Sequence, residues 1–201
     1  MVKVGVIAAQ GAISEHRDAF KKAFKETGLK GDVVLIRDKK DVSAADGIAI
    51  PGGESTTIAK YLHRTGIAGE IIKKVTNENM PVMGTCAGCV LLAKEIIDDQ
   101  SEKVNPLSLM NMSVKRNAFG RQRESFEATV NVEGFGKPYH AVFIRAPTIT
   151  KTWGNCKPIA VFENKIVGAQ QDNLLALSFH PELTSDLMFH KYFLKLVIKQ
   201  P

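Results

Sequence analysis

A cysteine between two glycines is the residue of this chain best suited to covalent chemistry. The run Gly84-Thr85-Cys86-Ala87-Gly88 has the spacing of a nucleophile elbow, a sharp turn between a strand and a helix that presents one side chain. The small flanking residues permit the tight backbone, and the positive end of the helix dipole favours the thiolate form of Cys86. The N–H of Ala87 follows the nucleophile and is the usual donor to a developing oxyanion. The motif fits a catalytic thiol and, equally, a buried structural one.

A histidine and a carboxylate two residues apart occur much later in the chain. His180-Pro181-Glu182 follows the strand-like segment 174–178, and alternate residues of an extended segment project to the same side. A carboxylate on one imidazole nitrogen fixes the tautomer, so the other nitrogen can take a proton from a thiol and return it to an amine. Taken alone, the triplet fits an exposed turn after a strand better than it fits a catalytic pair.

A glycine-rich loop is the third candidate element. Pro51-Gly52-Gly53-Glu54-Ser55-Thr56 joins a predicted strand to a predicted helix. Consecutive glycines can turn a backbone N–H toward an anion, so the loop is a second oxyanion donor or a plain tight turn. No Gly-Lys-Ser/Thr follows, which excludes a Walker-type phosphate loop. The thiol, the base with its acid and this donor loop together favour nucleophilic thiol catalysis on an acyl group.

The cysteines leave a redox alternative open. Cys86 and Cys89 spell C-x-x-C, the spacing of a thioredoxin-like pair. Such pairs normally follow the first strand of a small domain, whereas at least three predicted strands precede this one. Redox chemistry predicts that Cys89→Ser abolishes activity, whereas acyl chemistry predicts a mild effect there and a fatal one for Cys86→Ala. A metal site is not expected, because neither a second cysteine pair nor a His-x-x-x-His cluster is present, and no cofactor is predicted.

Apolar patterning places these motifs in an α/β fold with a mixed sheet flanked by helices. In the first half, strands are predicted at 2–9, 32–37, 47–50 and 81–84, and helices at 12–26, from Ser55 or Thr56 to about 62, at 67–75 and at 86–97. After residue 105, added antiparallel strands are predicted at 125–132, 140–145, 158–162, 166–170 and 174–178, before a final helix at 185–199. We expect residues 1–201 to form a single domain.

Composition excludes several other classes of protein. The chain has 201 residues, of which 44% are hydrophobic and 24% charged, as in ordinary folded domains. Its longest apolar runs, Val4 to Ala9 and Cys89 to Ala93, are far shorter than the roughly 20 residues of a membrane span. The net charge of +6 comes from dispersed lysine pairs and not from a clustered stripe, so nucleic acid is not an expected partner. With three cysteines and no signal-like N-terminus, we expect a cytoplasmic protein.

Longer motifs along the whole chain resemble those of a known family. The elbow with the later His180-Pro181-Glu182 resembles class I (triad) glutamine amidotransferases, whose three-layer fold would then be expected. More specifically, five motifs resemble the glutaminase subunits of pyridoxal 5′-phosphate synthase: Pro51 to Thr57, Arg116 to Gln122, Ser125 to Glu127, Phe143 to Pro147 and Ser178 to Thr184. The resemblance runs from Val4 through the final helix.

The resemblance implies an activity, a partner and a set of roles. Glutamine would be hydrolysed to glutamate and ammonia, and the ammonia would pass to a separate synthase subunit that builds pyridoxal 5′-phosphate. Cys86 would be the nucleophile, His180 the base and then the acid, and Glu182 the residue that orients His180. The backbone N–H groups of Gly53 and Ala87 would form the oxyanion hole. The glutamine-binding positions of the family map onto Gly53, Glu54, Ser55, Arg116, Ile144 and Arg145.

The resemblance also extends to the end of the first strand. Gln10-Gly11-Ala12, with Glu15-His16 shortly after, matches the family where it borders the synthase, so Gln10 is a candidate interface or gating residue. We also expect the Gly52-Gly53 peptide to reach its donating conformation only when a partner docks. The alternatives are an amidotransferase domain that serves another synthase and a noncatalytic binding module. The motifs around Arg116 and Phe143 disfavour the first, and the intact triad disfavours the second.

Overall fold

Alternating strands and helices in the first half of the chain build a parallel sheet. The computed structural model describes residues 1–97, 103–119 and 124–199. The strands are β1 (Val2–Ile7), β2 (Gly31–Ile36), β3 (Gly47–Ile50), β4 (Val82–Thr85), β5 (Ala93–Ile96), β6 (Met110–Lys115), β7 (Ser125–Val132), β8 (Tyr139–Ile144), β9 (Thr148–Thr152), β10 (Lys157–Phe162), β11 (Lys165–Gln171) and β12 (Leu174–Leu177). The helices are α1 (Ile13–Thr27), α2 (Lys39–Ser43), α3 (Ser55–Arg64), α4 (Ile67–Glu78), α5 (Ala87–Leu92) and α6 (Met188–Ile198), with a 3₁₀ turn at Pro181–Leu183.

The central sheet is mixed, with a parallel half and an antiparallel half. Its strand order is β2-β1-β3-β4-β12-β11-β10-β7-β8, and β5, β6 and β9 branch from β11. Strands β2, β1, β3, β4 and β12 run parallel, whereas β11, β10, β7 and β8 pair antiparallel. The mixed sheet flanked by helices that the sequence predicts is therefore confirmed.

Apolar cores lie on both faces of the sheet. On one face, Phe20 and Phe24 of α1 and Phe193 of α6 pack with Val4 and Val6 of β1. On the other face, the apolar sides of α2, α3, α4 and α5 pack against strand residues such as Ile7, Ile36 and Ile50. The parallel strands β3, β4 and β12 are buried along their whole length, as expected for strands covered on both faces. None of the described helices is long and apolar enough to cross a membrane.

The predicted helix at 86–97 is wrong in its second half. Helix α5 ends at Leu92, and Ala93–Ile96 forms the strand β5, which pairs parallel with β6. The helix stops because its last carbonyls are taken by another segment: the N–H of Leu107 donates to Leu91 O at 2.7 Å, and that of Leu109 to Leu92 O at 3.0 Å. Tertiary pairing thus overrides a helix-compatible sequence.

Strand β12 also differs from its prediction. It is antiparallel to β11 as expected, but it pairs parallel with β4. Three further elements, α2, β6 and β9, form where no element is predicted. The remaining boundaries differ from the predictions by a few residues: β1 ends at Ile7, α4 extends to Glu78, and α6 begins at Met188.

Candidate active site

The turn at Cys86 has the geometry of a nucleophile elbow. Cys86 has φ 49° and ψ −103° between the end of β4 and the start of α5, a conformation that non-glycine residues rarely adopt. The flanking glycines are required by close approach, because a Cβ at Gly84 would overlap the carbonyl of Gly88, and one at Gly88 would overlap that of Ile50. The turn therefore holds the thiol at the end of the parallel strands.

Parallel pairing brings His180 to the same edge of the sheet. Thr85 lies opposite Leu177 in the β4–β12 register, and the N–H of Cys86 donates to Leu177 O at 2.8 Å. Three residues after Leu177, the N–H of His180 donates to Val142 O at 2.8 Å. Cys86 and His180 therefore follow two neighbouring strands, β4 and β12, which end side by side. Their proximity depends on the pairing of these two strands.

The imidazole is held between the carboxylate and the thiol. His180 Nδ1 lies 2.7 Å from Glu182 Oε1, and both residues are buried. Pro181–Leu183 forms a 3₁₀ turn, so this contact arises from a turn and not from the predicted extended segment. Burial alone would lower the pKa of His180, but the nearby Cys86 thiol and Glu182 outweigh it and raise this pKa to about 10. Cys86 contributes to this rise in pKa although its thiol makes no well-aligned hydrogen bond to His180 Nε2.

The carboxylate stays ionised in spite of its burial. Burial would raise the pKa of Glu182, but His16 and the hydrogen bond from His180 bring it below the ordinary value. An ionised carboxylate on Nδ1 stabilises a proton there and leaves Nε2 to exchange protons. The pair can therefore act as an oriented base.

Most of the predicted site residues share one cavity. It has a volume of about 400 Å³. Its lining includes nine of them, namely Gly53, Glu54, Ser55, Cys86, Ala87, Arg116, Ile144, Arg145 and His180. Glu182 lies behind His180 and outside this lining, and Gln10 also lies outside it. The carbonyl of Ile144 accepts from Cys86 Sγ at 3.7 Å, and Arg116 Nη1 donates to Ser55 Oγ at 3.4 Å.

The sequence motifs did not single out every residue of the cavity. Asn117 and Pro147 also line it, and both lie inside motifs that carry the family resemblance. Their position in those motifs is the signal that could have found them. Residues 120–122, the end of the motif that begins at Arg116, lie outside the described residues.

Glu54 has a role in the fold that differs from the prediction. We expected Ser55 or Thr56 to cap α3, but the cap is Glu54, whose carboxylate accepts from the N–H of Thr56 at 3.1 Å and of Thr57 at 2.7 Å. Burial would raise the pKa of this carboxyl, but the Thr56 hydroxyl and these N–H groups lower it from 4.5 to about 2. The side chain of Glu54 is thus committed to the helix.

We expect Glu54→Ala to lower the free energy of unfolding by about 1 kcal/mol, because α3 loses its cap. Since the folded-state pKa is depressed, the stabilisation by Glu54 is present above about pH 4.5 and is lost as the pH falls toward about 2. Urea unfolding at pH 7 and pH 3 would measure this, with Glu54→Gln and the exposed Glu133→Gln as matched variants. Equal acid sensitivity of wild type and Glu54→Gln would contradict the capping role.

The other two cysteines are buried free thiols. Cys89 lies at 0% exposure one helical turn after Cys86, and burial raises its pKa. Burial also raises the pKa of Cys156, to about 11. A protonated, inaccessible thiol does not attack a disulfide, so the geometry disfavours the redox alternative. Within the described ranges, no group of three or more His, Cys, Asp or Glu side chains is arranged to hold a metal ion.

Comparison with known proteins agrees with this geometry. The model of the SNO glutamine amidotransferase family matches residues 6–199. The chain belongs to the SNO glutamine amidotransferase family. Among curated relatives, pyridoxal 5′-phosphate synthase subunit PdxT of Methanosarcina barkeri is 48% identical over 98% of this chain and 99% of its own length. The PdxT subunit of Archaeoglobus fulgidus is 51% identical over 97% of this chain and 98% of its own.

Solved structures of glutamine amidotransferases are also similar to this chain. One crystal structure of a glutamine amidotransferase is 41% identical, covers 96% of this chain and 98% of its own, and superposes with a TM-score of 0.85. A glutamine amidotransferase from Thermotoga maritima superposes with a TM-score of 0.61 over 94% of this chain and 80% of its own. At 17% identity, that second likeness shows a shared fold.

Proposed function

We propose that this chain hydrolyses L-glutamine to L-glutamate and ammonia, and that it supplies the ammonia to the synthase subunit of pyridoxal 5′-phosphate synthase. The observation that carries the proposal is the cavity of about 400 Å³, in which a strained thiol, a buried imidazole and two arginines converge. Membership of the SNO family supports the reaction class. The naming of full-length relatives as synthase subunits supports the partner and the product.

The proposed reaction has two halves, which share one base. Cys86 Sγ, whose proton His180 Nε2 has already taken, attacks the carbonyl carbon of the glutamine side-chain amide as a thiolate. As the carbon–nitrogen bond breaks, His180 returns that proton to the leaving ammonia, and a thioester to Cys86 remains. A water then gives a proton to His180 and attacks the thioester carbon. The carbon–sulfur bond breaks, glutamate leaves, and the proton on His180 is again shared with the Cys86 thiolate, as at the start. Glu182 keeps the Nδ1 proton in place throughout.

The oxyanion formed in each half would be stabilised by backbone N–H groups. Ala87 begins α5, so its N–H is one of those that a helix leaves unpaired at its start. Gly53 would supply the second donor. Its φ of 152° lies in a region that side chains disfavour, which supports a functional reason for glycine at this position.

Substrate binding would use other residues that line the same cavity. Arg116 and Arg145 are the cations that can hold the α-carboxylate of glutamine, since an anion that leaves water needs such a partner. Ser55 and Ile144 would complete this lining. Because the Glu54 carboxylate caps α3, its N–H donates to Gln10 and its carbonyl accepts from Ile58, we expect Glu54 to contribute to binding by holding this loop in place.

Gln10 is proposed as an interface and gating residue because it contacts the oxyanion loop. Its Oε1 accepts from the N–H of Glu54 at 3.3 Å, next to Gly53. A Cβ at the adjacent Gly11 would overlap the carbonyl oxygen of Gly52, so the two loops interlock. A partner that moves residues 10–12 would therefore reach the Gly52–Gly53 peptide directly.

This coupling predicts that the synthase subunit stimulates hydrolysis. If the competent loop conformation is populated at about 0.1–10% in the free chain, docking raises ammonia release about 10- to 1,000-fold. Ammonia would be measured with glutamine and the wild-type chain, alone and with the synthase subunit. Equal rates in both settings would contradict the gate. Release in neither setting, from a complex verified by chromatography, would contradict the glutaminase function itself.

We also infer that residues 1–201 act as one glutaminase domain in the cytoplasm. The continuous strand order from β2 to β8 and the family match over 6–199 support a single domain. Three free, buried cysteines support a reducing compartment.

A further inference from the structure

A fully buried histidine lies behind the proposed triad. His16, on the first turn of α1, has 0% exposure, although the sequence resemblance places its motif beside the partner surface. Its Nε2 lies 3.2 Å from Glu182 Oε2 and 3.0 Å from Thr85 Oγ1. Its Nδ1 lies 3.3 Å from Nε2 of His190, which is also fully buried.

The two oxygens of Glu182 face different histidines. Oε1 binds His180, whereas Oε2 is buried without a well-aligned hydrogen bond and lies 3.2 Å from His16 Nε2. A buried carboxylate needs a donor at each oxygen, since desolvation otherwise disfavours its charge. His16 is placed to supply that second donor.

The chain of contacts indicates which nitrogen of each imidazole carries the proton. An N–H at His16 Nε2 donates to Thr85 Oγ1, 3.0 Å away, and Glu182 Oε2 lies 3.2 Å from the same nitrogen, within reach of a shared and less well-aligned hydrogen bond. His16 Nδ1 then accepts from His190 Nε2–H, and His190 Nδ1 carries no proton and needs no acceptor. The opposite tautomers would bury an unpaired N–H at His190 and set the lone pair of His16 Nε2 against the carboxylate.

The charge state agrees with this arrangement. The groups that face His16 are Glu182 from the 3₁₀ turn, His190 from α6, Thr85 from β4, and more distantly His180 and Glu15. Burial lowers the pKa of His16 against the opposing effect of Glu182, and burial lowers that of His190 well below its ordinary value. Both shifts favour the neutral imidazoles that this arrangement uses.

We propose that His16 is a positioning residue for the glutaminase reaction: its Nε2–H holds the second oxygen of Glu182, so that the first oxygen stays aligned on His180 Nδ1. The inference rests on the proposed glutaminase function. In metalloenzymes, residues that hydrogen-bond to the metal ligands and orient them have a comparable role. Substitution of such a residue typically lowers activity about 10- to 100-fold. Because α1 begins just after Gln10 and Gly11, the same helix connects the proposed gate with the triad.

Three variants and two readouts test the role. His16→Leu removes the donor at similar volume, His16→Gln keeps an amide N–H at about the reach of Nε2, and Phe193→Leu damages the same core away from the triad. In the complex, we expect His16→Leu to lower kcat about 10- to 100-fold with KM nearly unchanged. His16→Gln should restore most of kcat, and Phe193→Leu should retain it at a matched loss of Tm.

The second readout does not depend on turnover. Alkylation of Cys86 by iodoacetamide, followed by peptide mass spectrometry across pH, reports how well His180 stabilises the thiolate. We expect slower alkylation near neutral pH in His16→Leu and recovery in His16→Gln, with Cys86→Ala defining the background.

Several outcomes would overturn the inference. The proposed role of His16 is wrong if kcat and the alkylation profile of His16→Leu match those of wild type. It is also wrong if Phe193→Leu lowers kcat and the alkylation rate as much as His16→Leu does. If His16→Leu does not fold, His16→Asn replaces it, because its shorter amide reaches only the position of Nδ1. Equal kcat and alkylation profiles of His16→Asn and His16→Gln would then contradict the role of His16. A wild-type complex without ammonia release would overturn the glutaminase proposal instead, while the alkylation comparison still decides the role of His16.

Discussion

Replacing Cys86 by alanine is expected to lower partner-stimulated ammonia release by at least about 1,000-fold, because no other thiol among the described residues lines the cavity to form the acyl intermediate. The turn that carries Cys86 tolerates alanine sterically, and the positive φ strains both residues alike. Folding should therefore be retained. The loss should appear in kcat, with glutamine still held by Arg116 and Arg145 of the same cavity.

Cys89→Ser is the matched control for that change. Cys89 lies one helical turn away, fully buried, and the hydroxyl of Ser178 is close enough to pair with a serine there. We expect at most a modest effect on kcat. Ammonia release by wild type and both variants, in the same synthase complex and at verified Tm, is the measurement. Loss of activity in Cys89→Ser alone would overturn the acyl mechanism and favour the redox interpretation of the C-x-x-C spacing.

Glu182→Gln is expected to lower kcat about 1,000- to 10,000-fold, because it leaves His180 with the wrong tautomer. An amide has one acceptor and one donor atom, and the N–H of His16 Nε2 lies 3.2 Å from the second oxygen position. The amide oxygen turns toward His16, so its NH₂ group faces His180 Nδ1 and displaces the proton that belongs there. His180 Nε2 then carries a proton and cannot accept one from Cys86.

Positions 16 and 182 are therefore expected to be energetically coupled. In a His16→Leu background the amide is free to turn its oxygen to His180, so Glu182→Gln should cost less there than in wild type. The four kcat values of this double-mutant cycle, at matched glutamine saturation, measure the coupling. Strict additivity would show that His16 does not set the orientation of residue 182.

The candidate residues of the site could be identified in the sequence because each motif is local. Each motif consists of residues that are adjacent or nearly adjacent in the sequence. The three motifs are the tight turn around a thiol, the loop with two glycines and the imidazole two residues before a carboxylate. The alternation of apolar runs with helix-compatible segments likewise predicts the parallel half of the sheet. For the same reason the strands that lead into Cys86 and Glu54 lie close to their predicted bounds.

Other features depend on contacts between distant segments, which periodicity does not reveal. Ala93–Ile96 is compatible with a helix until β6 offers it a partner, and β12 becomes parallel to β4 because the β11–β12 hairpin inserts it beside that strand. Glu54 rather than Ser55 caps α3, because the longer carboxylate reaches two N–H groups. These choices are decided by which backbone groups find partners after packing.

The sequence by itself determined the reaction class and most of the residues around the cavity, since family motifs and turn chemistry lie in short runs. Only the tertiary structure decided which buried side chains contact those residues from the protein interior. His16 and Glu182 are separated by most of the chain, and they meet because α1 packs beside the 3₁₀ turn. A buried carboxylate must find its second donor wherever the fold brings one, and no local pattern can name that residue.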